Sequence, residues 1–222
     1  MKLFTDSGAN ELRRRATDAL LALPDNDQWL ATLLERELDS IGNSGDPLVL
    51  ISLEGALAER KAAEAVPVFN RMLSDPRVEA LHEDLAEILG QMGDVSSVPS
   101  LIAALSSEHV WVRAKAARSL ARLAGPRATV PLVSLLKDES DTVRENAING
   151  LVETNATTAA GALLELAGSE DETYVREVAI RALGRLHVRE AAPLFRTLSA
   201  HGEDEDIRKA AADALSMLEG SK

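Results

Sequence analysis

Arginine recurs along this chain at a nearly fixed interval: Arg113, Arg144, Arg176 and Arg208 stand 31 or 32 residues apart. Arg13 has a matching context near the start. A guanidinium is a planar fork of N–H donors that grips a carboxylate or phosphate through two parallel hydrogen bonds. A row of them could hold an acidic ligand. Yet acidic residues crowd the stretches around the same positions, among them Asp138, Asp141, Glu170, Asp171, Asp204 and Asp206. The simpler expectation is that the row pairs with acids of its own or adjacent turns and belongs to the scaffold. Other chemistry finds little material. His82, His109, His187 and His201 fall at unrelated places in the repeat, and there is no cysteine. No Ser/His/Asp set, glycine-rich phosphate loop or metal-ligand spacing is present, so no catalytic residue, cofactor or metal is expected.

A repeated element must position these arginines. With the residue before each Arg as position zero, Ala follows at +4 (Ala116, Ala147, Ala179, Ala211) and a small residue at +7 (Ser119, Gly150, Ala182, Ala214). Leu follows at +8 (Leu120, Leu151, Leu183, Leu215). Positions 0, +4, +7, +8 and +11 form one stripe of an α-helix, and the alternation of a strand is absent. A second amphipathic stretch precedes each such helix, as in SVPSLIAALSS and TVPLVSLLKD. Each unit therefore reads as two antiparallel helices, A then B, joined by a polar turn.

The register extends back to Leu81, Val49 and Leu12, the last step being 37 residues. The expected fold class is all-α, an α-α superhelix with a lone N-terminal helix followed by six helix pairs. Residues 1–222 form a single solenoid in this reading, divergent over 8–60 and regular over 61–220. The early A helices are expected over about 27–41 and 61–73, and the lone helix is expected to cap the stack. Pro67, Pro99, Pro131 and Pro193 mark the A helices, while Gly93, Gly125 and Asn155 suit left-handed caps just past B helices. Thr154 replaces the Leu or Met of position +11, and Ala162 stands where siblings have Pro. A soft joint is expected over 154–161 on that account.

The pattern x-Val-Arg-x-x-Ala-x-x-Ala-Leu, after a Pro-bearing helix with Leu-Leu, resembles the short HEAT repeat of the phycobilisome-lyase-like, armadillo-like type. The resemblance covers 61–220 well and 8–60 weakly. It implies a curved solenoid with B helices lining a concave face, roughly 60–70 Å long at about 10 Å per helix layer. It says little about function. HEAT-like deoxyhypusine hydroxylases hold two irons through repeated His-Glu pairs. Here His82-Glu83 has no second pair, because its counterparts are Arg113-Ala114, Arg144-Glu145, Arg176-Glu177 and Arg208-Lys209. That activity is excluded.

Function is sought where the units differ. Positions +3, +6 and +10 of the B helices avoid the stripe. They carry Lys115, Arg118 and Arg122 in one unit, Asn146, Asn149 and Glu153 in the next, and Val178, Arg181 and Arg185 in the one after. This basic, amide-rich patch in a chain of net charge -12 suits carboxylates and peptide groups. The competing reading is an ordinary solvated face. Trp111 and Tyr174, at position -1, are candidate interface anchors or covers for their own turns. The expected function is a non-catalytic module binding a partner protein or peptide. Alternatives are a subunit of a bilin lyase-like enzyme, implied by the resemblance, and a toxin-neutralising immunity or adaptor protein. A HEAT-like DNA glycosylase is disfavoured, since the acidic charge repels phosphate backbones and makes nucleic acid an unlikely partner. No secretory signal or apolar run of roughly 18 residues appears, so a cytoplasmic protein without a membrane span is expected. The oligomeric state is left open.

Overall fold

The computed structural model describes residues 7–23, 26–43, 46–169, 172–202 and 204–220. Helices account for 84% of it, and no strand occurs among the described residues. The chain divides into two compact units, residues 1–100 and 101–222.

In the first unit the lone helix α1 (Ser7–Leu21) is followed by the pair α2 (Asp27–Ser40) and α3 (Pro47–Glu59), then by α4 (Val66–Met72) and α5 (His82–Met92). Asp46 caps α3, its carboxylate accepting the Leu48 amide at 2.9 Å, and Pro47 fills a first-turn position where no N–H is needed. Leu30, Leu34 and Leu38 of α2 and Leu50, Leu53 and Leu57 of α3 are buried. Each such Leu contributes about 1.5–3 kcal/mol. The helix α6 (Val98–Ala104) spans the division between the units.

The second unit continues with α7 (Val110–Ala124), α8 (Thr129–Ser134), α9 (Asp141–Glu153), α10 (Ala160–Gly168), α11 (Thr173–Arg185), α12 (Ala192–His201) and α13 (Glu205–Gly220). The expected lone helix and six A–B pairs are thus present. The B helices pack in chain order, α7 on α9, α9 on α11 and α11 on α13. Their stripe is the core: Val112, Val143, Val175 and Ile207 at position zero are at most 4% exposed, and Ala116, Ala147, Ala179 and Ala211 are fully buried. Alanine at +4 lets neighbouring helices approach closely.

Most A helices open on a 3-10 turn. It falls at 63–65 before α4, 95–97 before α6 and 189–191 before α12. The B helices end on a left-handed residue at position +12: Lys61, Gly93, Asn155 and His187 have φ of 53°, 80°, 51° and 52°. Gly93 and Asn155 match expectation; Lys61 and His187 adopt the same cap without the usual residue type. Gly125 departs, with ψ of -130° outside the left-handed helical region. Thr154 replaces apolar packing with local bonds, its hydroxyl donating to Gly150 O at 3.0 Å. Ala162 lines a cleft of about 590 Å³ with Val133, Leu136 and Leu166, so packing between α8 and α10 is incomplete there.

The cap expected of α1 is not of the usual kind. On α13 the outward positions Ala212 and Ser216 are small or polar and exposed. On α1 the apolar stripe itself is open, with Leu12 56% and Leu23 37% exposed.

Candidate functional site

The arginine row closes the A–B turns. Arg113 Nη1 donates to Ser107 O at 2.8 Å, Arg144 Nη1 to Asp138 O at 2.8 Å and Arg208 Nη1 to Gly202 O at 2.7 Å. In each case the acceptor lies six residues earlier, where the A helix has run out of amide partners for its last carbonyls. Arg113 also grips the next turn, with Nε and Nη2 at 2.8 and 2.9 Å from the two Asp138 carboxylate oxygens. Burial alone would push Asp138 up. The Arg113 hydrogen bond, the Ser140 amide and the Arg113 and Arg144 charges hold its carboxyl below the ordinary range. The expected pairing with acids is thus realised at Arg113, while the common device is a backbone carbonyl. Arg176 makes a long contact, Nε to Ala167 O at 3.5 Å. Glu170 and Asp171, expected partners of the row, lie outside the described residues, as does the Arg13 side chain. His82 takes the arginine's place in its unit, buried, with Nε2 3.0 Å from Asp75 O. No cluster of three or more His, Cys, Asp or Glu able to hold a metal occurs among the described residues.

The variable positions present a separate face. Arg118 and Arg122 on α7, Asn149 on α9, and Arg181 and Arg185 on α11 are exposed; Lys115 and Asn146 are half-buried. Helix α9 packs against both α7 and α11, so Asn149 stands between Arg118 and Arg181 at the same register. Arg181 Nη2 reaches Glu177 Oε1 at 2.5 Å along its own helix, and Asn146 Nδ2 donates to Thr142 O at 2.9 Å. No ion pair engages Arg118, Arg122 or Arg185 among the described residues. Glu153 shares their face between Arg122 and Arg185, and Glu145 and Glu177 bound the patch toward the helix N-termini. Position +3 departs twice: Ala210 on α13, which packs on both α11 and α12, is fully buried, and Ser52 on α3 is buried as well.

The two aromatic residues differ. Trp111 is 57% exposed at the start of α7. Tyr174 is 47% exposed, and its hydroxyl is hydrogen-bonded to Glu145 of α9. That hydrogen bond first, then partial burial and the charges of Glu145, Glu177 and Asp141, hold the phenol above its ordinary value.

Two features escaped the sequence reading. Trp29 on α2 is 55% exposed, and its only signal was a Trp outside every stripe. An apolar cleft of about 530 Å³ lies between α1 and α3. Its signal was the 37-residue step from Leu12 to Val49 where later steps are 31 or 32.

Stacked helix pairs with buried Val, Ala and Leu stripes define an α-solenoid of repeats. The HEAT-repeat family matches over residues 83–152, 98–183 and 129–216. The chain belongs to the HEAT-repeat family. No curated protein matches it. Among solved structures it is similar to one chain of the complex of CpcE and CpcF of phycocyanin lyase from Nostoc sp. PCC7120. The identity there is 25% and the TM-score 0.58, over 70% of this chain and 65% of that one. The chain therefore spans just under two thirds of that relative. Two engineered proteins share the fold. One is 19% identical with TM-score 0.53, covering 84% of this chain and 96% of its own. The other is 21% identical with TM-score 0.55, covering 96% and 65%.

Proposed function

We propose that this HEAT-repeat protein is a non-catalytic binding module whose B-helix face over α7, α9 and α11 takes a carboxylate-bearing segment of a partner protein. The observation that carries the reading is the set of unspent guanidiniums. Arg118, Arg122 and Arg185 share one exposed face without a carboxylate partner among the described residues, in a chain of net charge -12. Arginine forks select carboxylates bidentately, and Asn149 between them adds an amide for peptide groups. Trp111 at the edge supplies an aromatic anchor of the kind that dominates interface energetics. The test is affinity capture from native cells with the wild type and with Arg118→Glu/Arg181→Glu. The double variant keeps its helical circular dichroism and loses the captured partner; retention of that partner at unchanged affinity overturns the reading.

The likeness to a chain of the phycocyanin lyase complex favours a second reading, a subunit of a bilin lyase-like enzyme. Only six aromatic residues are available to line a tetrapyrrole pocket. A bilin whose absorbance spectrum shifts on mixing with the protein would support this reading over the first. No helix among the described residues is long and apolar enough to cross a membrane.

A further inference from the structure

We propose that the cleft between α1 and α3 is a docking site for one amphipathic helix of a partner polypeptide, seated as an A helix is seated elsewhere in the chain. The argument begins with the stripe. Position zero is at most 4% exposed in the four later B helices from α7 onward, but Val49 of α3 is 39% exposed and Leu12 of α1 is 56% exposed. Leu12, Ala16, Ala19, Leu20 and Leu23 line one wall of the cleft. These are the positions 0, +4, +7, +8 and +11 that A helices help to cover in later units. The surface thus continues, on its B side, the A–B interface that the protein builds six times over, with Leu12 and Val49 left exposed on it.

The opposite wall is Leu48, Val49 and Leu53 of α3, with Leu33 of α2. Among the described residues, the polar ones lining the cleft are Asp46 and Ser52, both engaged locally. The Asp46 carboxylate accepts from Leu48 N at 2.9 Å, and Ser52 Oγ donates to Leu48 O at 2.7 Å. A polar ligand would lose its water and find no unspent partner among the described residues. An amphipathic helix satisfies its own backbone and offers only carbon to the walls. Alanine at 16 and 19 admits close approach of a helix axis. The walls are held: Arg60 of α3's end donates to Leu23 O at 3.0 Å and pairs with Asp27 at 2.5 Å, fixing the end of α1. From Leu12 to Leu23 the stripe runs for about three turns, close to the length of the A helix α12.

The probe is a fluorescein-labelled peptide copying this chain's own α8 with the 3-10 turn and the three residues that follow it, residues 129–140 (TVPLVSLLKDES), titrated by anisotropy into the full chain. Saturable binding is expected, weakened about tenfold or more by Leu12→Asp/Val49→Asp and unchanged by Arg118→Glu/Arg181→Glu. Both substituted stripe positions are exposed, so the variant folds, which circular dichroism checks. Hydrogen exchange on peptide binding should slow over 12–23 and 48–53. Absence of saturable binding, equal binding to the Asp variant, or protection confined to other segments overturns the proposal. So does capture of the protein by phosphatidylcholine vesicles in an Asp-sensitive manner without peptide binding, which would assign the cleft to lipid. Loss of the patch's partner with the cleft intact, or the reverse, separates this proposal from the function assigned to the B-helix face.

Discussion

At the residue scale, one buried ion pair ties two repeats together. The side chains of Arg113 and Asp138 are 8% and 9% exposed, and the fork also closes the Ser107 and Glu108 carbonyls. Removing one partner of such a pair strands the other charge without water. Arg113→Ala is therefore expected to cost about 3–5 kcal/mol in urea unfolding. The acid side has a pH signature. The Asp138 carboxyl is held below its unfolded value in the native state, so its contribution is complete above the unfolded value of about 4. It is lost as pH falls through the lowered native value. The stability difference between wild type and Asp138→Asn should then be largest near neutrality and shrink toward about pH 2. A difference that grows on acidification would mean that the carboxylate is not what Asn removes.

At the scale of elements, the helix crossings decide which substitutions the array tolerates. A Cβ on Gly184 of α11 would stand 2.9 Å from the Ala214 Cβ and 3.0 Å from its Cα on α13. Backbone cannot yield as a flexible side chain can, so Gly184→Ala should destabilise by about 1–3 kcal/mol despite its better helix propensity. Gly161→Ala in α10 meets nothing within 4 Å and should instead stabilise by about 0.5–1 kcal/mol. Thermal unfolding of the two variants in opposite directions is the check. The stripe was legible in the sequence because packing dictates it: Ala at +4 and Leu at +8 recur wherever a neighbour leaves room for no other size. The caps at Lys61 and His187 were not legible, since the fold imposes a left-handed residue there whatever its type. Nor was the bond from Tyr174 to Glu145, which depends on how α9 and α11 register against each other rather than on either helix alone. The basic face was visible as residues, but only the structure shows that Arg181 spends one arm on Glu177 while Arg118, Arg122 and Arg185 spend none among the described residues.

At the scale of the whole molecule, the two proposed surfaces rest on different forces, and salt separates them. The face carrying Arg118, Arg122 and Arg185 is a cationic exception on a chain of net charge -12. A carboxylate-bearing partner is repelled by most of the protein and drawn to this patch, so electrostatics governs both where it lands and how fast. Exposed charges are screened beyond about 10 Å at 0.1 M salt and beyond about 3 Å at 1 M. Among the described residues the cleft at α1 and α3 is lined mostly by carbon, and burial of carbon does not weaken with added sodium chloride. Raising the salt from about 50 mM to about 500 mM should therefore weaken partner binding at the arginine face by about tenfold or more, chiefly through slower association. Binding of the 129–140 peptide in the cleft should hold or tighten slightly over the same range. Stopped-flow association of each ligand gives both answers. A common salt dependence would mean that one surface accounts for both events, and the arginine face would be the one retained if both slow together.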